Sequence, residues 1–282
     1  MAYKICAFAD EASNGLSGQI KTLNGRGIPY IELRNLDGKN VADLSLCEAK
    51  EIKKKLDENG ISVWSIGSRL GKIGVFENFS VHLDELLHTV ELAKTFECDK
   101  IRMFSFYIPK DHTREEYRQQ VFERVGCLLD LADQYGVILC HENERGIYGE
   151  SPEDVFDLLS YFNGRLRCVF DMGNFVLEGY KPLEVAFPLL RPYIAYFHIK
   201  DGTEDGVIVP AGMGNAKIQE ILAEFNTDND IFVSLEPHLT GFVGLGALTA
   251  TQLKHNCRFD SPEQAFSFQA EAVKEILRRI EK

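Results

Sequence analysis

Hydrophobic runs of strand length recur along this chain, and stretches of helical spacing separate them. In the first half, Lys4 to Phe8, Ile28 to Leu33, Ile61 to Ile66 and Lys100 to Phe106 read as strands. The first intervening helix covers about Leu16 to Asn24 and closes at Gly25. The second opens near Ser45, with Glu48 three residues on as a capping box and Asn59-Gly60 as the stop. Leu83, Leu86, Leu87 and Val90 mark the third by their i, i+3, i+4, i+7 spacing, and a long fourth runs from about Arg114 to Tyr135. The second half repeats the scheme, with strands ending at Glu142, Asp171, His198 and Glu236. Its helices are expected after Ser151-Pro152-Glu153-Asp154, over Leu183 to Leu190, over Ala216 to Phe225, and from Ser261-Pro262-Glu263-Gln264 nearly to the end. A serine cap followed by proline at the first helical position marks two of these starts.

Alternating strand and helix predicts a parallel sheet. Eight such units predict an α/β fold of the (β/α)8 TIM barrel type, a single domain over residues 1–282, and the length agrees with the roughly 250 residues such barrels need. The competing open, doubly wound sheet lacks its mark here, since no Gly-x-Gly-x-x-Gly follows the first strand. The aperiodic segment from Leu239 to Phe259, with Gly241, Gly244 and Gly246, reads as a lid over the mouth.

Four of the runs end in side chains that bind metals. Val137-Ile138-Leu139-Cys140-His141 leads to Glu142, Leu166-Arg167-Cys168-Val169-Phe170 to Asp171, Ile194-Ala195-Tyr196-Phe197 to His198, and Ile231-Phe232-Val233-Ser234-Leu235 to Glu236. In a barrel the C-terminal strand ends lie at one face, so these four groups are expected to converge there. Three carboxylates and one imidazole suit one divalent ion, Mn²⁺ or Mg²⁺ before Co²⁺ or Zn²⁺. Taken singly, Asp171 is explained as a cap before Met172-Gly173-Asn174, and His198 as a hydrogen-bonded core histidine. Glutamate is a poor cap, however, and Glu142 and Glu236 each follow a nearly unbroken apolar run. As a set on successive strands the four point to a metal site.

Composition narrows the partners. A net charge of −12 repels phosphate backbones, so nucleic acid is not expected as a partner. The seven cysteines are scattered, odd in number and form no CxxC, which fits a reducing cytoplasmic setting. Met1-Ala2-Tyr3-Lys4-Ile5 lacks the apolar core of a signal peptide, and no run approaches the ~18 apolar residues of a membrane span. Association into a homo-oligomer stays open.

Several short motifs occur in barrel order: Phe8-Ala9-Asp10-Glu11, Gly67-Ser68-Arg69-Leu70-Gly71-Lys72-Ile73, His141-Glu142-Asn143-Glu144, Asp171-Met172-Gly173-Asn174, His198-Ile199-Lys200-Asp201 and Leu235-Glu236-Pro237-His238. With them the chain resembles the xylose isomerase-like barrel superfamily of sugar-phosphate isomerases and epimerases. The resemblance implies that Glu142, Asp171, His198 and Glu236 hold one divalent metal, and that Glu142 and Glu236 also move the substrate proton. Elementary chemistry agrees. A metal bridging a ketose carbonyl and its neighbouring hydroxyl acidifies the C–H between them and stabilises the enediolate, while carboxylates on opposite sides take and return the proton.

Lys200, Lys72, Asn174, His238 and Glu32 are the candidate substrate contacts. Asn174 stands where some family epimerases carry a substrate-binding histidine. Arg34 is open to a surface ion pair, Arg102 within strand four requires a partner, His141 is assigned to packing or to orienting its neighbours, and Trp64 to the core. The substrate class is a small sugar or sugar phosphate. A lyase resembling inosose dehydratase, which the His-x-Lys-Asp motif also fits, and a non-catalytic sugar-binding barrel are the alternatives. The DNA-repair endonuclease branch would need more histidine ligands and a basic groove, and the charge of −12 opposes it.

Overall fold

Strand β1 (Tyr3–Ala7) enters the molecule beside β8 (Ile231–Leu235), and between them run β2 (Tyr30–Leu33), β3 (Ser62–Ile66), β4 (Lys100–Met103), β5 (Ile138–Glu142), β6 (Arg167–Asp171) and β7 (Ile194–Ile199). The computed structural model describes residues 3–110, 113–225, 227, 229–240, 254, 255 and 257–281. The sheet order is β1-β8-β7-β6-β5-β4-β3-β2, and among the described residues its ladders are parallel. β2 returns alongside β1, so the sheet is a nearly closed eight-stranded barrel.

The helices are α1 (Leu16–Gly25), α2 (Leu46–Glu58), α3 (Ser80–Phe96), α4 (Arg114–Tyr135), α5 (Pro152–Tyr161), α6 (Met172–Leu177), α7 (Phe187–Leu190), α8 (Ile218–Glu224) and α9 (Pro262–Ile280). Their starts follow the sequence signals. Ser45 and Glu48 form the reciprocal capping box at α2, and the Ser151 and Ser261 hydroxyls accept from Asp154 and Gln264 backbone N–H groups. Leu83, Leu86 and Val90 turn inward as expected, whereas Leu87 stays 36% exposed.

Three expectations shift. β4 stops at Met103 because Phe104 and Phe106 donate to Leu70 and Gly71 carbonyls instead of continuing the ladder, and Phe106 turns to φ 67°. The short helix α6 was not among the expected elements, but the cap reading of Asp171 holds: its side chain accepts from the Asn174 N–H and starts the turn. The helix expected over Leu183 to Leu190 opens with a π-turn at Pro182–Ala186. The expected lid falls outside the described residues from 241 to 253 and at 256.

Below the mouth, Cys6, Cys140, Val169, Tyr196 and Phe232 fill the barrel interior, and Trp64 stacks on Phe232 with centroids 3.4 Å apart. This apolar plug is why polar groups concentrate at one end. Among the described residues, no helix is long and apolar enough to cross a membrane.

Candidate metal centre

The top interior layer is polar where strand alternation brings inward-facing positions to the C-terminal rim. Glu142 closes β5, Asp171 closes β6, His198 lies in β7, and Glu236 follows β8 directly. One ligand atom from each lies within 4.8 Å of all the others, and all four residues are buried. His198 Nδ1 sits 3.0 Å from Glu142 Oε1, 3.2 Å from Glu236 Oε2 and 4.0 Å from Asp171 Oδ2. The four predicted ligands are therefore brought together.

Cations hold this layer in place. Arg34 donates through NH1 to Glu236 at 2.8 Å, and it also grips Asp10 at 2.9 Å and Glu11 at 3.1 Å. The surface ion pair considered for Arg34 is thus corrected: only 2% of the residue is exposed. Arg102 NH1 lies 3.1 Å from Glu142 Oε2, the buried partner its position required. Lys200 Nζ reaches Asp171 Oδ2 at 2.9 Å, Asn174 Oδ1 at 3.0 Å and Glu236 Oε2 at 3.1 Å. Gly173 makes room for it, because a Cβ there would lie 2.7 Å from the Lys200 side chain. Asp201, next along, accepts backbone N–H groups from Gly202, Gly212, Gly214 and Ala216 and so staples the following loop.

The remaining candidates separate. Asn174 spans from Lys200 to the Asn143 carbonyl, 2.8 Å from its Nδ2, at the edge of the pocket. His238, in a left-handed backbone turn of φ 49°, places Nε2 3.4 Å from Glu11 and 3.5 Å from Glu236. Lys72 pairs with Glu144 at 2.9 Å and lies over the Phe104 ring, so its charge is already matched. Glu32, expected at the mouth, lies one layer lower, behind His198 and 3.1 Å from its Nε2. The reason is the pleat: Arg34, two residues on, takes the rim position, and a register shift falls between Ile31 and Glu32. His141 points to Ser105 at 2.9 Å, in keeping with a packing role.

Sequence reasoning missed Asp10, Glu11, Asn143 and Tyr196 as neighbours of the centre. The motifs Phe8-Ala9-Asp10-Glu11 and His141-Glu142-Asn143-Glu144 carry three of them and were the available signal.

Electrostatics at the mouth are acid-rich. Six buried carboxylates, Asp10, Glu11, Glu32, Glu142, Asp171 and Glu236, face three buried permanent cations, Arg34, Arg102 and Lys200. Burial works against charge on His198, yet Glu142, Glu32 and Glu236 hold the imidazolium well above the usual histidine range. Burial likewise opposes ionisation of Glu236, but Lys200 and His198 keep it well below the carboxylate range. Burial pushes Asp171 upward against the pull of Lys200, and Glu11 up to about 8 against that of Arg34. Desolvation, with Lys200 adding to it, drops His238 to about 3, so it is neutral.

The donor set, three carboxylate oxygens and one imidazole nitrogen, fits a hard or borderline divalent ion. Glu142 Oε2 is buried and makes no hydrogen bond, with the Arg102 guanidinium 3.1 Å away as its ion-pair partner. Glu142, Asp171, His198 and Glu236 would hold such an ion. A second group, Glu11, Glu236 and His238, also clusters, but the Arg34 guanidinium already bridges its two carboxylates.

The sequence matches the xylose isomerase-like TIM barrel family over residues 21–259, and the chain belongs to that family. No curated protein matches it. Among solved structures, an L-ribulose 3-epimerase superposes with a TM-score of 0.75 at 18% identity, covering 100% of this chain and 96% of that one. The probable 3-DHS dehydratase AsbF, involved in petrobactin synthesis in Bacillus anthracis, gives a TM-score of 0.74 at 18% identity, covering 97% and 99%. A xylose isomerase-like TIM barrel protein from Mycobacterium smegmatis in complex with magnesium gives 0.71 at 16% identity, covering 98% and 97%. At these identities the likeness is one of fold.

Proposed function

We propose that this chain is a divalent-cation-dependent isomerase or epimerase of a sugar or sugar phosphate. The observation that carries the reading is the convergence of Glu142, Asp171, His198 and Glu236 within 4.8 Å in a buried pocket at the C-terminal mouth. The magnesium complex and the epimerase among the structural neighbours support it. When bound, Mn²⁺ or Mg²⁺ (with Co²⁺ or Zn²⁺ as substitutes) supplies Lewis acidity that makes the C–H beside a ketose carbonyl acidic.

The chain's own residues do the rest. Glu142 and Glu236 are held ionised before reaction, so either can take the sugar's proton as base, and the carboxyl group formed by that transfer is the acid that returns it. Arg34 and Arg102 fix those carboxylates from behind, so each needs little reorganisation. Lys200 and Asn174 present an ammonium and an amide to the sugar oxygens, His238 stands beside Glu236, and Lys72 is left to its pair with Glu144. Glu32 serves His198 instead of the sugar.

A second reading is elimination of water from a keto sugar or related polyol. The buried ammonium of Lys200 beside Asp171 and Glu236 is placed to assist a departing hydroxyl, and a dehydratase is among the neighbours. One experiment tests both. Purified protein with Mn²⁺ is incubated in D2O with a panel of ketoses and keto-polyols, free and phosphorylated. Deuterium uptake with mass otherwise conserved supports isomerisation or epimerisation. Loss of one water supports elimination. Sugar binding without any exchange or product would leave a non-catalytic barrel.

A further inference from the structure

Glu32 is a carboxylate buried in the barrel interior, with only 1% of the residue exposed, one layer beneath the converging ligands. Burying such a charge costs several kcal/mol unless partners offset it. Its partners are specific. Oε2 lies 3.1 Å from His198 Nε2, and Oε1 accepts from the Tyr196 hydroxyl at 2.7 Å. Behind Tyr196, Ser65 Oγ lies at 3.2 Å, and the edge of Phe8 packs on the His198 ring with centroids 5.1 Å apart.

The two ring nitrogens of His198 thus face different surroundings. Nε2 meets Glu32, and Nδ1 meets Glu142, Glu236 and Asp171. An ionised carboxylate is an acceptor only, so the nitrogen facing Glu32 carries a hydrogen. A neutral imidazole with its proton there has its lone pair on the other nitrogen.

We infer that Glu32 is a positioning residue: it fixes His198 as the Nε2–H tautomer and so aims the Nδ1 lone pair at a divalent cation, with Tyr196 and Ser65 locking the carboxylate. This rests on the cation site of the proposed function and extends it to residues that touch neither ion nor sugar.

Mn²⁺ binding, followed by calorimetry and by loss of the free-ion EPR signal, tests it on the whole chain without substrate. Glu32→Gln keeps the shape but offers an N–H to Nε2, which favours the wrong tautomer. Its dissociation constant is expected to rise about 10–100-fold, as is common when the partner of a ligating histidine is removed. Glu32→Asp retains an acceptor and should fall between wild type and Glu32→Gln. Tyr196→Phe removes one of the two groups holding Glu32 and should weaken binding by a few-fold. A folded Glu32→Gln protein with wild-type affinity overturns the inference, even if its turnover is lost. If Glu32→Gln does not fold, unchanged affinity in Tyr196→Phe overturns it. If the wild type takes up no Mn²⁺, the cation site itself fails, and this inference with it.

Discussion

Replacing Glu142 with glutamine removes one ligand charge with almost no change in shape, and its consequences divide by whether a cation is bound. For wild type, a cation at about 100 times its dissociation constant adds about 2.7 kcal/mol to stability. Unfolding entropy of about 2.1 cal/mol/K per residue becomes about 0.6 kcal/mol/K for a chain of this length. Saturating Mn²⁺ should therefore raise the melting midpoint by about 4–5 °C over an EDTA-treated sample. Without cation, two effects of Glu142→Gln oppose each other. Arg102 loses its ionised partner at 3.1 Å, and breaking a buried pair costs about 3–5 kcal/mol. Arg102 keeps the carbonyls of Gly67 at 3.3 Å and Ser68 at 3.1 Å, and an acid-rich pocket loses one acid. The loss should win, but reduced to about 1–3 kcal/mol, a fall of about 2–5 °C. Differential scanning fluorimetry with MnCl2 or EDTA reads both quantities. The variant should melt slightly lower than wild type in EDTA and gain nothing from Mn²⁺. A variant that keeps the wild-type gain would refute the assignment of Glu142 as a ligand.

The pH dependence follows from His198. Its folded-state value lies above the ordinary ~6.5, so its ion pairs contribute stability fully below ~6.5 and lose it as pH rises through the raised value. The metal-free protein should thus weaken toward alkaline pH. A cation must displace the Nδ1 proton, so Mn²⁺ affinity should climb up to about tenfold per unit between about pH 6 and 8; isotherms showing the reverse contradict the site. Lys200→Met removes a positive charge from oxygens of Asp171 and Glu236 that face the centre. Mn²⁺ should bind about tenfold tighter while the ketose KM rises, because the variant removes a like-charge repulsion that the surrounding acids offset only in part. Unchanged Mn²⁺ affinity would argue against that contact. Gly173→Ala pushes a methyl into Lys200 and should cost about 1–3 kcal/mol, seen as a lower melting midpoint in EDTA and weaker Mn²⁺ binding.

Much of this was legible along the chain. The eight runs and their caps predicted the barrel, since a strand with both faces covered must be apolar and a helix start must satisfy its own N–H groups. The ligand set was legible for a related reason. Glu142 and Glu236 break apolar runs at the rim, where a charge is tolerated only with partners. Glu32 and Arg34 were harder. They share a face, with Arg34 two residues nearer the mouth, but how Glu32 lines up against β3 depends on a one-residue irregularity that leaves no mark in composition. Lys72 read as a phosphate contact because nothing local reveals Glu144, 72 residues away, as its partner.

The sequence by itself determined the fold, the end of the barrel where buried polar groups gather, and the four groups able to share a cation, because these follow from periodicity and from the cost of burying charge. Only the tertiary structure decided which cation serves which carboxylate, and that His198 is held between Glu32 on one side and three acids on the other. Those choices depend on side chains from opposite strands meeting across a barrel a few ångströms wide, a distance that has no counterpart along the chain.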